Sequence, residues 1–220
     1  MIYTTAYDPY KTLLEVALEN EHCDKISHGY CELYHKHFST VRNLPSTRVL
    51  EIGTLVGLSS RLFRSYFHPD ATIHTIDIND CKKYLPEKVE FTQMNTQLIP
   101  SLQSFAETQG KWDIIIDDGG HDMLSQQNSI QYLWDVVKPG GYFVMEDIHS
   151  SFMSQFQPSD PKISTYHLMK CLADPSSTFS SPWMTTETFE KIRGEIELVE
   201  FFQRDPNLWT DSITSIVKKR

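Results

Sequence analysis

The run Trp112-Asp-Ile-Ile-Ile-Asp117 sets the tightest limit on what this chain can fold into. Three consecutive isoleucines leave no polar face, so the segment reads as a strand covered on both sides. Strands of that kind belong to parallel sheets with helices above and below. Similar runs recur along the chain. Arg48-Val-Leu-Glu-Ile-Gly53, Thr72-Ile-His-Thr-Ile-Asp77, Lys88-Val-Glu-Phe-Thr-Gln93 and Gly141-Tyr-Phe-Val-Met-Glu146 read as further strands. Between them lie helical patterns: residues 8–20 with Leu13, Leu14, Ala17 and Leu18; Tyr30 to Phe38; Gly57 to Phe67; and residues 97–109, broken near Pro100. A further amphipathic helix carries Ile130, Leu133, Trp134 and Val137 and stops at Pro139-Gly140-Gly141. The end, Ile196 to Phe202 and Ser212 to Val217, reads as an antiparallel hairpin.

The expected fold is therefore α/β, Rossmann-like and doubly wound. It has a mostly parallel seven-stranded sheet, an antiparallel C-terminal hairpin and helices on both faces. At 220 residues the chain is expected to be one domain, 1–220, large enough to bury roughly 70% of its unfolded surface. Residues 1–45 form an N-terminal helical cap. Residues 150–190 break the strand–helix rhythm with Pro158, Pro161, Pro175 and Pro182 and with aromatics such as Phe152, Tyr166 and Trp183. They are read as a lid or acceptor-side insertion.

A net charge of −9 argues against a nucleic-acid partner, whose phosphates are met by Lys and Arg. No apolar run reaches the ~18 residues of a membrane span. The start lacks the basic flank and apolar stretch of a secretion signal. Cys23, Cys31, Cys81 and Cys171 show neither C-x-x-C nor zinc spacing, so they are expected as reduced thiols of a cytoplasmic protein.

In a parallel sheet, ligands bind beyond the carboxyl ends of the strands. The first strand ends Glu51-Ile-Gly53-Thr-Leu-Val-Gly57, an E-x-G-x-x-x-G pattern that lacks the second glycine of the dinucleotide fingerprint. A cofactor without pyrophosphate needs less of that tight cradle, and a strand-end acid can face a cation. Asp77, ending the second strand, suits a ribose diol. The fourth strand ends Asp117-Asp118-Gly119-Gly120-His121, and the fifth ends Glu146-Asp147-Ile148-His149. If these strands are neighbours, Asp118, Glu146 and Asp147 converge. Carboxylates that close repel unless a cation compensates, and oxygen ligation suits Mg²⁺ or another hard divalent ion. Across two glycines, His121 can fold back as a general base.

The glycine pair, the acid and the strand order resemble class I S-adenosylmethionine (SAM)-dependent methyltransferases. DDGGH followed by PGGYFVMEDIH is similar to the metal-dependent sugar O-methyltransferases of macrolide tailoring, the mycinamicin and macrocin type, and to cephalosporin-tailoring relatives. The lead-in Asp24-Lys25, His28, Tyr30 and Tyr34 adds to the likeness, which covers about residues 22–150. The resemblance implies a SAM-dependent O-methyltransferase that acts on a sugar hydroxyl of a glycan or glycosylated small molecule, with Mg²⁺. It implies His121 and Asp118 as catalytic residues and Asp118, Glu146 and Asp147 as metal ligands. The cofactor would be lined by Glu51, Gly53, Thr54, Gly57, Ser59, Asp77, Asn95 and Asp117, with Lys25 and Tyr30 closing over it or the acceptor. Relatives often assemble, so a homo-oligomer is possible. A catechol-type O-methyltransferase, a non-catalytic SAM-binding protein and a nicotinamide oxidoreductase stand as alternatives, the last disfavoured by the broken fingerprint.

Overall fold

The computed structural model describes residues 4–20, 23–208 and 211–220. The chain divides into two compact units, residues 1–94 and 95–220. Seven strands run in the order β3-β2-β1-β4-β5-β7-β6, the mixed sheet that the sequence leads one to expect.

The first unit contains α1 (Leu13–Glu19), α2 (Asp24–Ser27), α3 (Tyr30–Phe38), β1 (Arg48–Ile52), α4 (Leu58–Tyr66), β2 (Thr72–Asp77) and β3 (Val89–Gln93). β1 pairs parallel with β2, and β2 with β3. α1 starts at a capping box: the Thr12 hydroxyl accepts from the Glu15 N–H while the Glu15 carboxylate accepts from the Thr12 N–H. The short helix α2 has too little periodicity to show in the sequence. Buried Arg42 ties the preceding segment down, its guanidinium donating to the carbonyls of Lys11 and Asp8 and lying 4.1 Å from the Tyr66 ring centroid.

The second unit contains α5 (Ile99–Gln109), β4 (Trp112–Asp117), α6 (Met123–Leu133), β5 (Val137–Met145), α7 (Thr165–Ala173), α8 (Thr186–Gly194), β6 (Ile196–Gln203) and β7 (Ile213–Lys219). β4 pairs parallel with β5; β7 pairs antiparallel with both β5 and β6. The C-terminal hairpin is thus present.

Two expectations change. Pro100 does not break α5, because it sits in the first turn, where its missing N–H is no loss. The helix before Pro139 ends earlier than the apolar pattern suggests. α6 stops at Leu133, a 3₁₀ turn covers Trp134–Val136, and Val137 already pairs with Trp112. Pro139-Gly140-Gly141 therefore lies inside β5, at a register shift between Trp112 and Ile114. Residues 150–190 hold α7 and the start of α8, and they bury Leu168, Met169, Phe179, Met184 and Phe189. Much of that stretch is core of its own unit. No helix of the described residues is long and apolar enough to cross a membrane.

The register shift depends on Gly141. A Cβ there would lie 2.8 Å from the Asp113 carbonyl oxygen and 2.9 Å from that of Lys138, both fixed backbone. Gly141→Ala is expected to destabilise the protein by about 1–3 kcal/mol. The thermal midpoint should fall by roughly 2–4 °C per kcal/mol, measured by differential scanning calorimetry. An unchanged midpoint would show that the bulge relaxes freely.

Candidate functional site

In the first unit, the turn after β1 is held by an acid from β2. Asp77 Oδ2 accepts from the N–H groups of Thr54 (2.9 Å) and Leu55 (3.0 Å), and Oδ1 accepts from the Asn79 N–H (2.8 Å). Gly53, Leu55 and Gly57 all have positive φ (96°, 48° and 72°), so the turn coils tightly. Glycine at 57 answers two demands. Its φ disfavours a side chain, and a Cβ would sit 3.0 Å from the Tyr84 carbonyl oxygen. Thr54 Oγ1 lies 2.7 Å from Thr75 Oγ1, and the buried Glu51 carboxylate accepts from the Ser60 hydroxyl at 2.8 Å. Ser59 is buried in the first turn of α4. Lys25 and Tyr30 are fully buried in the same unit, Tyr30 against the rings of His28 and Tyr34.

This closure decides a point of chemistry. In a phosphate cradle the first amides of the turn face the anion. Here they face a carboxylate of the same chain. Burial alone would raise the Asp77 pKa, but the N–H groups of Asn79, Leu55 and Thr54 outweigh it and hold the carboxyl below its usual range. The turn suits a ligand without phosphate.

In the second unit, β4 and β5 are neighbours, with Asp117 opposite Met145. The turns that follow them leave the sheet at one level. Asp118, His121 and Asp147 come together there, each offering a ligand atom, all within 4.8 Å of one another. His121 Nε2 lies 3.6 Å from Asp147 Oδ2. His121 Nδ1 is buried with no hydrogen-bond partner among the described residues. Both His121 (φ 56°) and Asp147 (φ 52°) adopt the left-handed conformation. Such strain in a non-glycine residue costs of order 1–3 kcal/mol and collects at functional sites. Two carboxylates at this spacing fit a divalent cation, which would relieve their repulsion, and the imidazole stands beside them.

Glu146, an expected third carboxylate, lies outside that grouping. It is buried, and its backbone N–H bonds the Asp117 carbonyl at 2.9 Å. Asp117, expected beside the cofactor, is fully buried and accepts from the Ser129 hydroxyl and, at 3.2 Å, from the Gly119 N–H. Burial pushes its carboxyl up to about 6, against the pull of those two donors. Asn95 caps the approach to α5, its Oδ1 accepting from the Gln97 N–H at 2.9 Å.

Two further groups border the cluster, His149, which the strand-end motif already contains, and Met123, which the sequence reading missed. His149 Nδ1 lies 3.9 Å from Asp147 Oδ1 and accepts from the Ile213 N–H at 3.4 Å. The Met123 sulfur accepts from the Thr165 N–H at 3.2 Å and from the Ser151 hydroxyl at 3.7 Å. A histidine two positions beyond Asp147 was a visible signal; a thioether in a helix start was not.

Residues 50–148 match the family described as a methyltransferase domain. The chain is 32% identical over 159 residues to demethylmacrocin O-methyltransferase of Streptomyces fradiae, covering 67% of this chain and 40% of that one. It is also 32% identical over 132 residues to 8-demethyl-8-(2-methoxy-alpha-L-rhamnosyl)-tetracenomycin-C 3'-O-methyltransferase of Streptomyces olivaceus, covering 57% of this chain and 33% of that one. The chain thus spans under half the length of these curated relatives. Among solved structures it superposes on the mycinamycin-pathway methyltransferase in complex with Mg, SAH and mycinamycin VI. The TM-score is 0.75 at 24% identity, over 95% of this chain and 53% of that one, which supports the fold.

Asp77 offers a direct check within the first unit. Its native pKa is lowered, so its contribution is complete above the unfolded value near 3.9 and is lost as pH falls through the native value. Asp77→Asn should cost roughly 1.5–3 kcal/mol at pH 7 by urea unfolding, and should remove part of the acid-side slope of stability. Equal stability at pH 7 would mean that the turn holds without its carboxylate.

Proposed function

We propose that this chain is a SAM-dependent O-methyltransferase that methylates a sugar hydroxyl of a glycosylated small molecule, with a divalent ion and His121 as general base. The observation that carries the reading is the Asp118–His121–Asp147 cluster at the ends of β4 and β5. The two curated relatives support the acceptor class, one named for a rhamnosyl tetracenomycin and the other for demethylmacrocin. The mycinamycin-pathway structure supports the ligands, since it holds Mg and SAH.

Glu51, Gly53, Thr54, Gly57, Ser59, Asp77, Asn95 and Asp117 are the residues proposed to line the methyl donor. Lys25 and Tyr30, both buried in the first unit, are proposed to close the donor or acceptor site from that unit's core. A donor bearing a sulfonium and no phosphate agrees with a turn whose amides are already taken by Asp77. Asp118 and Asp147 would hold the cation, with Glu146 as the remaining proposed ligand. A divalent ion held there would make an acceptor hydroxyl more acidic.

The chain's own tasks are alignment and proton removal. Alignment is the larger, since a fixed in-line geometry supplies up to ~7–11 kcal/mol in favourable cases. The turns around Asp118 and Asp147 fix the acceptor oxygen, and their strained backbones keep the donor atoms in one arrangement. His121 Nε2 accepts the hydroxyl proton as the new O–C bond forms and the C–S bond breaks. Asp147, 3.6 Å away, stabilises the imidazolium that results. None of Cys23, Cys31, Cys81 and Cys171 is in a disulfide, and all are buried, which agrees with a reaction in the cytoplasm.

The test is methyl transfer from SAM to rhamnosylated polyketide acceptors in the presence of Mg²⁺, read by mass spectrometry. Chelation should abolish it and Mg²⁺ should restore it. His121→Ala should lower kcat by about 10²–10⁴-fold while leaving SAH affinity within twofold. Full activity in chelator, or a loss under tenfold in the variant, would sink the corresponding role.

A further inference from the structure

We propose that Phe152 and Tyr166 form the stacking surface for the acceptor's pyranose ring, an inference that rests on the sugar-acceptor reading above. The two rings have centroids 4.8 Å apart and planes at 63°, so two aromatic faces meet in a corner. Both side chains are half-buried. Tyr166 is braced by Phe201, 6.1 Å away and edge-on, and Lys170 lies over both rings, 5.5 Å from Tyr166 and 4.2 Å from Phe201.

The corner is tied to the acid and imidazole cluster by a continuous set of contacts inside the second unit. Phe152 closes the 3₁₀ turn Ile148–Phe152, which begins at the residue after Asp147. The neighbouring Ser151 hydroxyl oxygen accepts from the Tyr166 N–H at 3.1 Å and donates to the Met123 sulfur, 3.7 Å away. Met123 opens α6 two residues after His121, and its sulfur also takes the Thr165 N–H. The turn of Asp147, the turn of His121 and the start of α7 therefore share one buried junction, and the two rings grow out of it. A rigid corner so placed continues the proposed site into the insertion.

The occupant follows from the ring chemistry. A pyranose presents C–H groups on one face and hydroxyls around its rim. The C–H face stacks on an aromatic face and sheds water there, while the rim stays polar. Rings of Phe and Tyr have few rotatable bonds and so lose little freedom on binding such a ligand. Fixing the sugar face leaves one hydroxyl to the acid cluster, which makes Phe152 and Tyr166 determinants of which sugar is accepted.

The experiment is saturation-transfer NMR on the full chain with SAH and Mg²⁺, using methyl α-L-rhamnopyranoside as the probe. The expected result is transfer to the ring C–H protons in the wild type. It should fall at least fivefold in Phe152→Ala and in Tyr166→Ala, and persist in Tyr166→Phe. SAH affinity by calorimetry should stay within twofold in every variant. Where Tyr166→Ala loses its fold with its bracing contacts, Phe152→Ala decides. No transfer in the wild type, or transfer within twofold in Phe152→Ala, overturns the proposal. Methylation assays on the wild type separate the two readings. Sugar binding without methyl transfer removes the proposed function and leaves the corner standing; methyl transfer that is indifferent to Phe152→Ala does the reverse.

Discussion

The pairing of β4 with β5 is the constraint on which the acid cluster depends. With Asp117 opposite Met145, the residues that follow each strand emerge side by side. A slip of one residue would reverse the side-chain faces of one strand relative to the other. The crowded bulge at Gly141 adjusts that register, and the triple isoleucine of β4 anchors it by burial on both faces. The ligand atoms of Asp118, His121 and Asp147 are near one another because apolar residues several positions earlier are locked in place.

The central strands were legible because their runs are short, apolar and β-branched, and the hairpin because two further apolar runs, Ile196 to Phe202 and Ser212 to Val217, close the chain. The candidate acids were legible as strand-end residues. Less visible was which of them meet. Glu146 and Asp147 are adjacent in sequence, yet only Asp147 joins the cluster, because the backbone turns left-handed at that residue and re-aims its side chain. No propensity rule assigns positive φ to an aspartate or a histidine in a given sequence; tertiary contacts impose it. Val137 shows the same limit at a helix end. It fits the helical stripe of Ile130, Leu133 and Trp134, but the ladder to Trp112 claims it first.

Residues 150–190, read from their prolines and hydroxyls as a lid or acceptor-side insertion, are bonded to α6: Gln127 donates to the Ile163 carbonyl at 2.7 Å and accepts from the Ser181 hydroxyl at 2.5 Å. α6 buries Gln126 to Ser129, whose side chains donate to the Glu146, Ile163 and Gln97 carbonyls and to the Asp117 carboxylate. Hydroxyls and amides with buried partners stiffen a loop, whereas the same residues facing water would loosen it.

The turn closed by Asp77 has a consequence for discrimination among metabolites. Nucleotide cofactors share the adenosine group and differ from one another largely in what hangs from the ribose. A turn whose amides are spent on an internal carboxylate offers a phosphate nothing but negative charge. On the proposed reading, the carboxylate that closes this turn would also disfavour phosphate-bearing adenine nucleotides, with no separate gate.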